Sequence, residues 1–212
     1  MGCRRFATDF KMAYLNVLSL VLGIAGLMGT LYFGMKSIYL QRKIRRFEWD
    51  DVEIGVKHLN KEISRRFVPE LILTISAPGA IVTNLFVTHR SEITPVYVGI
   101  TLHKEDPRSL SFTTDHHIIT TSKWRIAVPN ALLRHKEKRL LVLDGSVITG
   151  DAMDNLLKLL VVNGFDRNNV MTASLIATDV ALRAGKGPDV YWRNVPDCEV
   201  YMPWGHLIGP GY

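Results

Sequence analysis

Cysteine is scarce in this 212-residue sequence: only Cys3 and Cys198 occur, far apart and at no metal-ligand spacing. This excludes a metal site built on clustered cysteines and fits a reducing compartment or a protein that needs no disulfides. Internal repeats and low-complexity segments are also absent. The chain is 47% hydrophobic, which is enough for one α/β domain beyond the N-terminal region.

Charge is missing entirely from residues 12–35, MAYLNVLSLVLGIAGLMGTLYFGM, although the chain carries a net charge of +6. As a helix this run spans about 36 Å, longer than the roughly 30 Å core of a bilayer. A secretory signal peptide has a shorter apolar core of about 7–15 residues. The sequence therefore predicts one retained transmembrane helix. Basic residues flank it on both sides: Arg4, Arg5, Lys11, Lys36, Arg42, Lys43, Arg45 and Arg46.

The excess of basic residues after the span predicts a single-pass membrane protein whose main domain is cytoplasmic. We expect residues 1–46 to form the membrane and juxtamembrane segment and residues 47–212 the soluble domain. The basic segment fits contact with the lipid bilayer better than contact with nucleic acid. Gly23, Gly26 and Gly29 permit close helix approach, which favours a homo-oligomer or membership of a membrane complex, although glycine is common in membrane helices generally.

The soluble part alternates between helical and strand patterns. Apolar residues from Trp49 to Ile63 recur at helical spacing after a candidate cap, Asp50. PELILTIS then predicts a strand buried on both faces, APGA breaks it, IVTNLFVTHR predicts a helix, and TPVYVGITL predicts the next strand. WRIAV, RLLVL and NVMTASLIA predict further strands, and a helix follows RLLVL. We expect an α/β domain with an open, mostly parallel twisted sheet flanked by helices.

Residues 104–121, KEDPRSLSFTTDHHIITT, are polar and show no period. Such a segment predicts an irregular lid, in which Lys104 and Arg108 could close over a leaving group. His116 and His117 are adjacent, so they are poor joint metal ligands and are interpreted as loop residues or lid contacts. Ser76 has no His-Asp pair placed by spacing, which argues against a hydrolase.

The most informative stretch is RLLVLDGSVITGDAMDNLLKLL, residues 139–160. It predicts a buried strand that ends at Asp144, then a short loop and a helix. Ser146, Thr149 and Gly150 suit a loop whose backbone N–H groups bind a phosphate at the helix start. The lysine and spacing of a P-loop are absent.

This stretch resembles the phosphoribosyl-pyrophosphate signature of the type I phosphoribosyltransferases. Asp144 matches the first acid of that signature, and Thr149 and Gly150 match its Thr-Gly. FEWDDVEIGVKHLNKEI, ELILTISAPGAIVTNLF and EVYMPWG also look like segments of the small purine-salvage members, in the same order. The similarity covers roughly residues 47–205.

The resemblance implies a role for several residues. Asp144 would hold the donor ribose and contribute to catalysis, and Mg²⁺ would neutralise the pyrophosphate. Tyr191 or Trp192 would stack on the base, unless they serve packing. The 5'-phosphate loop would comprise Asp144, Gly145, Ser146, Thr149, Gly150, Asp151 and Ala152. The pyrophosphate loop would comprise Ala77, Pro78, Gly79 and Ala80.

Several positions depart from the family pattern. Gly145 replaces the second ribose-binding acid, and Asp151 and Ala152 replace the usual Gly and Thr. Ile148 stands where purine-specific members often have a base-contacting Asp, and Pro78-Gly79-Ala80 carries no cation where the pyrophosphate loop often has Arg-Gly-Gly. The carboxylate of Asp151 would either repel a bound phosphate or turn away and favour the helix N-terminus.

Two main functions therefore remain open. The first is a membrane-anchored transferase that moves a phosphoribosyl group from phosphoribosyl pyrophosphate to a base or base-like acceptor. The second is a catalytically degenerate module that binds phosphoribosyl pyrophosphate or a nucleotide, as a membrane-tethered effector or assembly subunit. A structural or pore-like membrane oligomer is a third alternative.

Overall fold

The computed structural model describes residues 22–24, 26–35, 44–106, 115–196 and 199–208. The chain forms two compact units, Met1–Ile44 and Arg45–Tyr212. In the first unit, residues 22–24 and 26–35 are helical. Within the described ranges, no helix combines the length and apolar character needed to cross a membrane. The predicted span of residues 12–35 lies partly outside these ranges and stays a prediction.

Strands and helices alternate through the second unit. The strands are β1 (Ile44–Arg46), β2 (Leu71–Thr74), β3 (Val96–Val98), β4 (Ile100–His103), β5 (His116–Thr120), β6 (Trp124–Pro129), β7 (Leu140–Val147), β8 (Val170–Thr178), β9 (Val190–Val195), β10 (Glu199–Met202) and β11 (Gly205–Ile208). The helices are α1 (Trp49–Arg66), α2 (Ala77–Thr88), α3 (Asn130–Leu133), α4 (Asp151–Val162) and α5 (Asp179–Arg183), with a 3₁₀ turn at Arg167–Asn169.

The central sheet has five strands in the order β3-β2-β7-β8-β9, and every neighbouring pair is parallel. The prediction of an α/β domain with a mostly parallel sheet is thus confirmed. The chain adds β3 on one side of β2 and then returns to add β7 on the other side. This reversal leaves a crevice at the carboxyl ends of β2 and β7, where open α/β sheets bind ligands.

Helices cover both faces of this sheet. Val56 and Leu59 of α1 and Phe86 of α2 pack with Leu141 and Leu175 on one face. On the other face, Met153, Leu156, Leu159 and Leu160 of α4 pack with Leu140 and Val142, which alternate with Leu141 along β7. Burial of each large side chain contributes about 1.5–3 kcal/mol, which explains the nearly continuous apolar runs of these strands.

The first helix, α1, buries most of the apolar residues predicted to face the core, but its N-cap is not the predicted residue. It buries four residues at helical spacing: Val52, Val56, Leu59 and Ile63. Trp49 is instead 53% exposed. Asp50 lies inside the first turn, because the helix begins at Trp49 and Glu48 is the N-cap. The Glu48 N–H donates to the Asp51 carboxylate over 3.0 Å, so this backbone donor at the start of the helix has a hydrogen-bond partner.

TPVYVGITL forms two strands rather than the single predicted one. β3 belongs to the parallel sheet, whereas β4 joins an antiparallel sheet of order β4-β6-β5. The change of sheet occurs at Gly99, where a Cβ would lie 2.6 Å from the carbonyl oxygen of Ala127. Only glycine allows the two sheets to approach this closely.

The prediction of an irregular segment over residues 104–121 is wrong in its second half. His116 and His117 lie in β5, paired with Pro129 and Val128 of β6. Their polar character misled the sequence reading because β5 is an exposed edge strand with little apolar pattern. A third small sheet has the order β1-β10-β11 and contains part of the C-terminal tail.

Candidate functional site

A cavity of about 190 Å³ lies at the carboxyl ends of β2 and β7. Five predicted residues line it: Asp144, Ser146, Thr149, Gly150 and Ala152. The cavity also has lining residues that sequence reasoning did not assign to a phosphoribosyl site: Ile75, Ser76, Thr101, Trp124, Val147, Ile148 and Met153. The strand reversal thus brings the signature stretch to the crevice expected for a ligand.

Asp144 lies within β7 rather than at its end, because the strand continues to Val147. β8 stays paired with β7 as far as Val147, whereas β2 stops pairing with β7 at Val142. One edge of β7 is therefore open beside Asp144. This edge is where the carboxylate meets the residues that follow β2.

The Asp144 carboxylate is held by two donors. The Ser76 hydroxyl and the Gly145 N–H both donate to Oδ1, the latter over 2.7 Å. Burial raises the pKa of Asp144, and these two hydrogen bonds partly oppose the rise. The residue keeps a partly exposed surface and lines the cavity. A carboxyl in this setting can accept from a ribose hydroxyl when ionised and can donate when protonated.

The turn from Ser146 to Gly150 opens helix α4. Gly150 has φ +77°, and a Cβ there would lie 2.3 Å from the Lys186 carbonyl oxygen, so only glycine fits. The Thr178 hydroxyl donates to the Ile148 carbonyl and fixes the turn from behind. The first N–H groups of α4 have no partner within the helix, and Ala152 and Met153 line the cavity. This is an arrangement that binds phosphate.

Asp151 is paired with a cation. Its Oδ1 lies 2.6 Å from Lys186 Nζ, and its Oδ2 accepts from the Thr149 hydroxyl over 3.1 Å. The hydrogen bond from Lys186 lowers the pKa of Asp151, and the same contact raises the pKa of Lys186. Asp151 does not line the cavity. The Asp151 carboxylate therefore lies in the first turn of α4, where Lys186 compensates its charge. This agrees with the second of the two predicted orientations, in which the carboxylate turns away from the phosphate and favours the helix N-terminus.

Gly145 faces the start of α2. A Cβ on Gly145 would lie 2.7 Å from Pro78 Cβ and 3.2 Å from the Pro78 carbonyl carbon. The space that a second acidic side chain needs is therefore occupied by Pro78 and its backbone. The absence of the second acid and the position of α2 are coupled features of this chain.

The predicted pyrophosphate loop is not a loop. Ala77, Pro78, Gly79 and Ala80 form the first turn of α2, which Ser76 caps by accepting from the Gly79 N–H over 2.9 Å. The Pro-Gly pair predicts a break in regular structure. Proline nevertheless fits the first helical turn, because backbone N–H groups there make no bond within the helix and none is lost. These four residues do not line the cavity.

The other predicted site residues lie apart from the cavity. Lys104 is exposed in the turn after β4 and does not line the cavity. Arg108 lies outside the described residues. Trp192 packs against α1, where a Cβ on Gly55 would lie 2.6 Å from its ring, and meets the Phe47 ring at 5.8 Å. Neither Tyr191 nor Trp192 lines the cavity, so base stacking by these rings stays a prediction.

Thr101 and Trp124, on β4 and β6, are among the cavity residues that the sequence did not assign to the site. They come from a different sheet, and no sequence motif links them to Asp144. The only sequence signal for a role of Trp124 in the cavity was its position. It begins a strand directly after a Thr-Ser-Lys turn, beside the predicted lid. Within the described ranges, no group of three His, Cys, Asp or Glu residues could hold a metal ion.

Comparison with known structures assigns the fold. A purine phosphoribosyltransferase from Pyrococcus horikoshii matches with a TM-score of 0.55 and 15% identity, over 80% of this chain and 99% of that one. A xanthine-guanine-hypoxanthine phosphoribosyltransferase from Helicobacter pylori matches with a TM-score of 0.55 and 18% identity, over 76% and 94%. The chain has a phosphoribosyltransferase fold.

A third similar structure, a hypothetical protein from Neisseria gonorrhoeae with bound ppGpp, has a TM-score of 0.57 and 22% identity, over 76% of this chain and 89% of that one. No family model matches the chain, and no curated protein matches it by sequence. At these identities the phosphoribosyltransferase likeness establishes the fold, and the activity has to be argued from the site.

Proposed function

We propose that the second unit binds a phosphoribosyl group or a nucleotide through its 5'-phosphate, without transferring it. The phosphate lies at the Ser146–Gly150 turn and the first amides of α4. A ribose hydroxyl bonds to Asp144. The observation that carries the proposal is the contact between Gly145 and Pro78, which removes the second acid while the phosphate turn still opens into a cavity.

Two further features support binding without transfer. Burial raises the pKa of Asp144, so ionisation of the carboxyl that would face a positively charged transition state is less favourable than it would be in water. The residues expected to receive the pyrophosphate are packed in a capped helix start. The ppGpp bound to the Neisseria protein is a precedent for a nucleotide ligand on this fold.

Phosphoribosyl transfer to a base is the second candidate. It is favoured by the fold shared with purine phosphoribosyltransferases and by the survival of Asp144 in the cavity. Mg²⁺ would supply charge neutralisation of the donor pyrophosphate, with Asp144 as the acidic side chain among the described cavity residues. The chain's own residues would act by positioning the ribose and phosphate.

The membrane anchor belongs to the same proposal. Residues 12–35 would hold the binding domain at the cytoplasmic face of a bilayer, and Gly23, Gly26 and Gly29 would support self-association or assembly with a partner. In this arrangement the chain would act as a membrane-tethered effector, whose signal depends on whether a ligand occupies the cavity.

The test uses the full chain in mild detergent. Isothermal titration calorimetry with phosphoribosyl pyrophosphate, ribose 5-phosphate and a set of 5'-nucleotides measures binding. Pyrophosphate release with a panel of bases and Mg²⁺ measures transfer. We expect binding without base-dependent pyrophosphate release. Turnover with any base would establish the second candidate, and absence of all binding would reject both.

A further inference from the structure

Among the cavity-lining residues, two carry a polar side-chain atom that is buried without a hydrogen-bond partner: Thr101, with Oγ1, and Trp124, with Nε1. Both side chains line the cavity on which the proposed function rests. Buried polar groups are usually paired, and leaving one unpaired costs about 1–3 kcal/mol. A pair of unsatisfied groups beside one cavity indicates that a ligand supplies the missing partners.

The two side chains are held in place by their sheet. In the antiparallel register Thr101 pairs with Ile126 and Trp124 pairs with His103, so these four residues share one face. The His103 ring meets the indole edge-on at 5.5 Å. The backbone N–H of Trp124 donates to Thr121 Oγ1 over 2.8 Å, which fixes the start of the strand. The indole itself is held by its ring contact with His103.

The charge of the cavity decides what these atoms can bind. Its described lining includes no lysine or arginine, and Asp144 is its acid. A phosphate or pyrophosphate at this wall would lack the charged donors such groups usually receive. The indole N–H is a donor only, so its partner is an acceptor. A neutral acceptor on a flat ring fits this wall, because Ile75, Val147 and Met153 give the cavity apolar surface.

We infer that Trp124 and Thr101 recognise the base of a bound nucleotide, and that they select a carbonyl oxygen over an amino group at the same ring position. The Trp124 Nε1–H donates to the carbonyl oxygen. The Thr101 hydroxyl makes a second bond and can donate or accept. This inference rests on the proposed function, in which the phosphate of the same ligand lies at the Ser146–Gly150 turn.

The test compares matched ligand pairs by calorimetry with the full chain: uridine with cytidine 5'-monophosphate, and inosine with adenosine 5'-monophosphate. The wild type is expected to prefer the carbonyl member of each pair by about tenfold, because an amino group would meet the indole N–H donor to donor. Trp124→Phe keeps a ring but removes the N–H, and should weaken the carbonyl members about fivefold while the amino members bind as well as before or better, so that the preference falls to about twofold or less.

Thr101→Val should weaken both members of each pair by a similar factor, since its hydroxyl can serve either. Trp49→Phe, a tryptophan on α1 outside the cavity lining, is the control and should change nothing. Ribose 5-phosphate, which has no base, should bind the wild type and all variants equally.

Failure of this inference differs from failure of the proposed function. If ribose 5-phosphate binds but the base adds no affinity, or if Trp124→Phe keeps the full carbonyl preference of the wild type, the inference is wrong and phosphate binding stands. If ribose 5-phosphate and every nucleotide fail to bind, the proposed function is rejected and the inference falls with it.

Discussion

Two helix starts flank the cavity, and they differ in what their first turns contact. At the start of α4, Gly150 adopts a left-handed conformation and the following residues line the cavity. At the start of α2, Ser76 caps the helix and also donates to Asp144, and Pro78 packs against Gly145. One start faces a space for a ligand, whereas the other is filled by the protein itself.

The difference separates the two halves of the proposed donor site. At the start of α4 the Asp151 N–H donates to the Thr149 hydroxyl over 3.3 Å, and the next two residues, Ala152 and Met153, line the cavity at a position suited to phosphate binding. The segment that the family resemblance assigns to the pyrophosphate is a packed helix turn in this chain. Binding of a monophosphate and binding of a pyrophosphate therefore become separable properties.

The largest effect is expected from a substitution at the start of α4, the helix start that opens into the cavity. Gly150→Ala places a Cβ against the Lys186 backbone at positive φ, so we expect a loss of about 3 kcal/mol from conformational strain and overpacking together. Gly185→Ala is the matched control: its φ is +67° but no atom lies within 4 Å of the added Cβ. It should cost only about 1 kcal/mol. Thermal unfolding measures both, and equal losses would show that the Lys186 contact is unimportant.

Introducing an acidic side chain at position 145 tests whether the start of α2 leaves room for it. Gly145→Asp should destabilise the chain by about 1–3 kcal/mol, because its Cβ meets Pro78 and overpacked sites cost this much. It should not create transfer activity. Gly145→Ala should lose a similar amount, since the clash begins at Cβ. Base-dependent pyrophosphate release by Gly145→Asp would show that α2 can move aside and would overturn the separation of the two starts.

Asp144→Asn should stabilise the protein while weakening ligand binding. Because burial raises the pKa of Asp144, folding favours the protonated form, and stability is lost as pH rises above the ordinary value of 3.8. Asparagine avoids that loss and can still accept from Ser76 and Gly145. The variant should melt above the wild type at pH 7, by about 2–4 °C per kcal/mol, and the two should converge below pH 3.8.

Asp151→Asn provides the contrast with the same substitution. Lys186 lowers the pKa of Asp151, so its contribution to stability is present above pH 3.8 and is lost as the pH falls. This variant should be no more stable than the wild type at pH 7. Stabilisation by both substitutions would contradict the different environments assigned to the two carboxylates.

The smallest effect concerns the charge beside the open start. Lys186→Met leaves the Asp151 carboxylate uncompensated near a bound phosphate, which should weaken ribose 5-phosphate binding about fivefold, equivalent to about 1 kcal/mol. Combining it with Asp151→Asn should restore most of the affinity, because the repelling charge is then also gone. Calorimetry of the double-mutant cycle gives the coupling. Independent effects would show that Lys186 contacts the phosphate directly.

Much of the fold was accessible from sequence because the buried strands are long and apolar on both faces. β2, β7 and β8 were predicted in place, and the switch from Asp144 into a turn and helix identified one wall of the cavity. The split of TPVYVGITL at Gly99 was missed, because the apolar run is continuous and the close contact that requires glycine comes from Ala127 on another strand.

The other wall of the cavity was not predictable. Thr101 and Trp124 join Asp144 in the cavity lining only through the pairing of a second sheet, which leaves no local signature. Trp192 was assigned to a base on family likeness, yet its ring packs on Gly55 of α1, a contact between residues far apart in sequence. The role of Asp151 depended on Lys186, which is 35 positions away and carries no motif.

The most direct test of the central claim compares the two helix starts within one protein. Hydrogen–deuterium exchange of the full chain, with and without saturating ribose 5-phosphate, reports the backbone amides of residues 146–153 and 77–88 separately. The account predicts slower exchange on ligand addition at 146–153 and no change at 77–88. Protection at 77–88, or none at 146–153 while the ligand is bound, would contradict it.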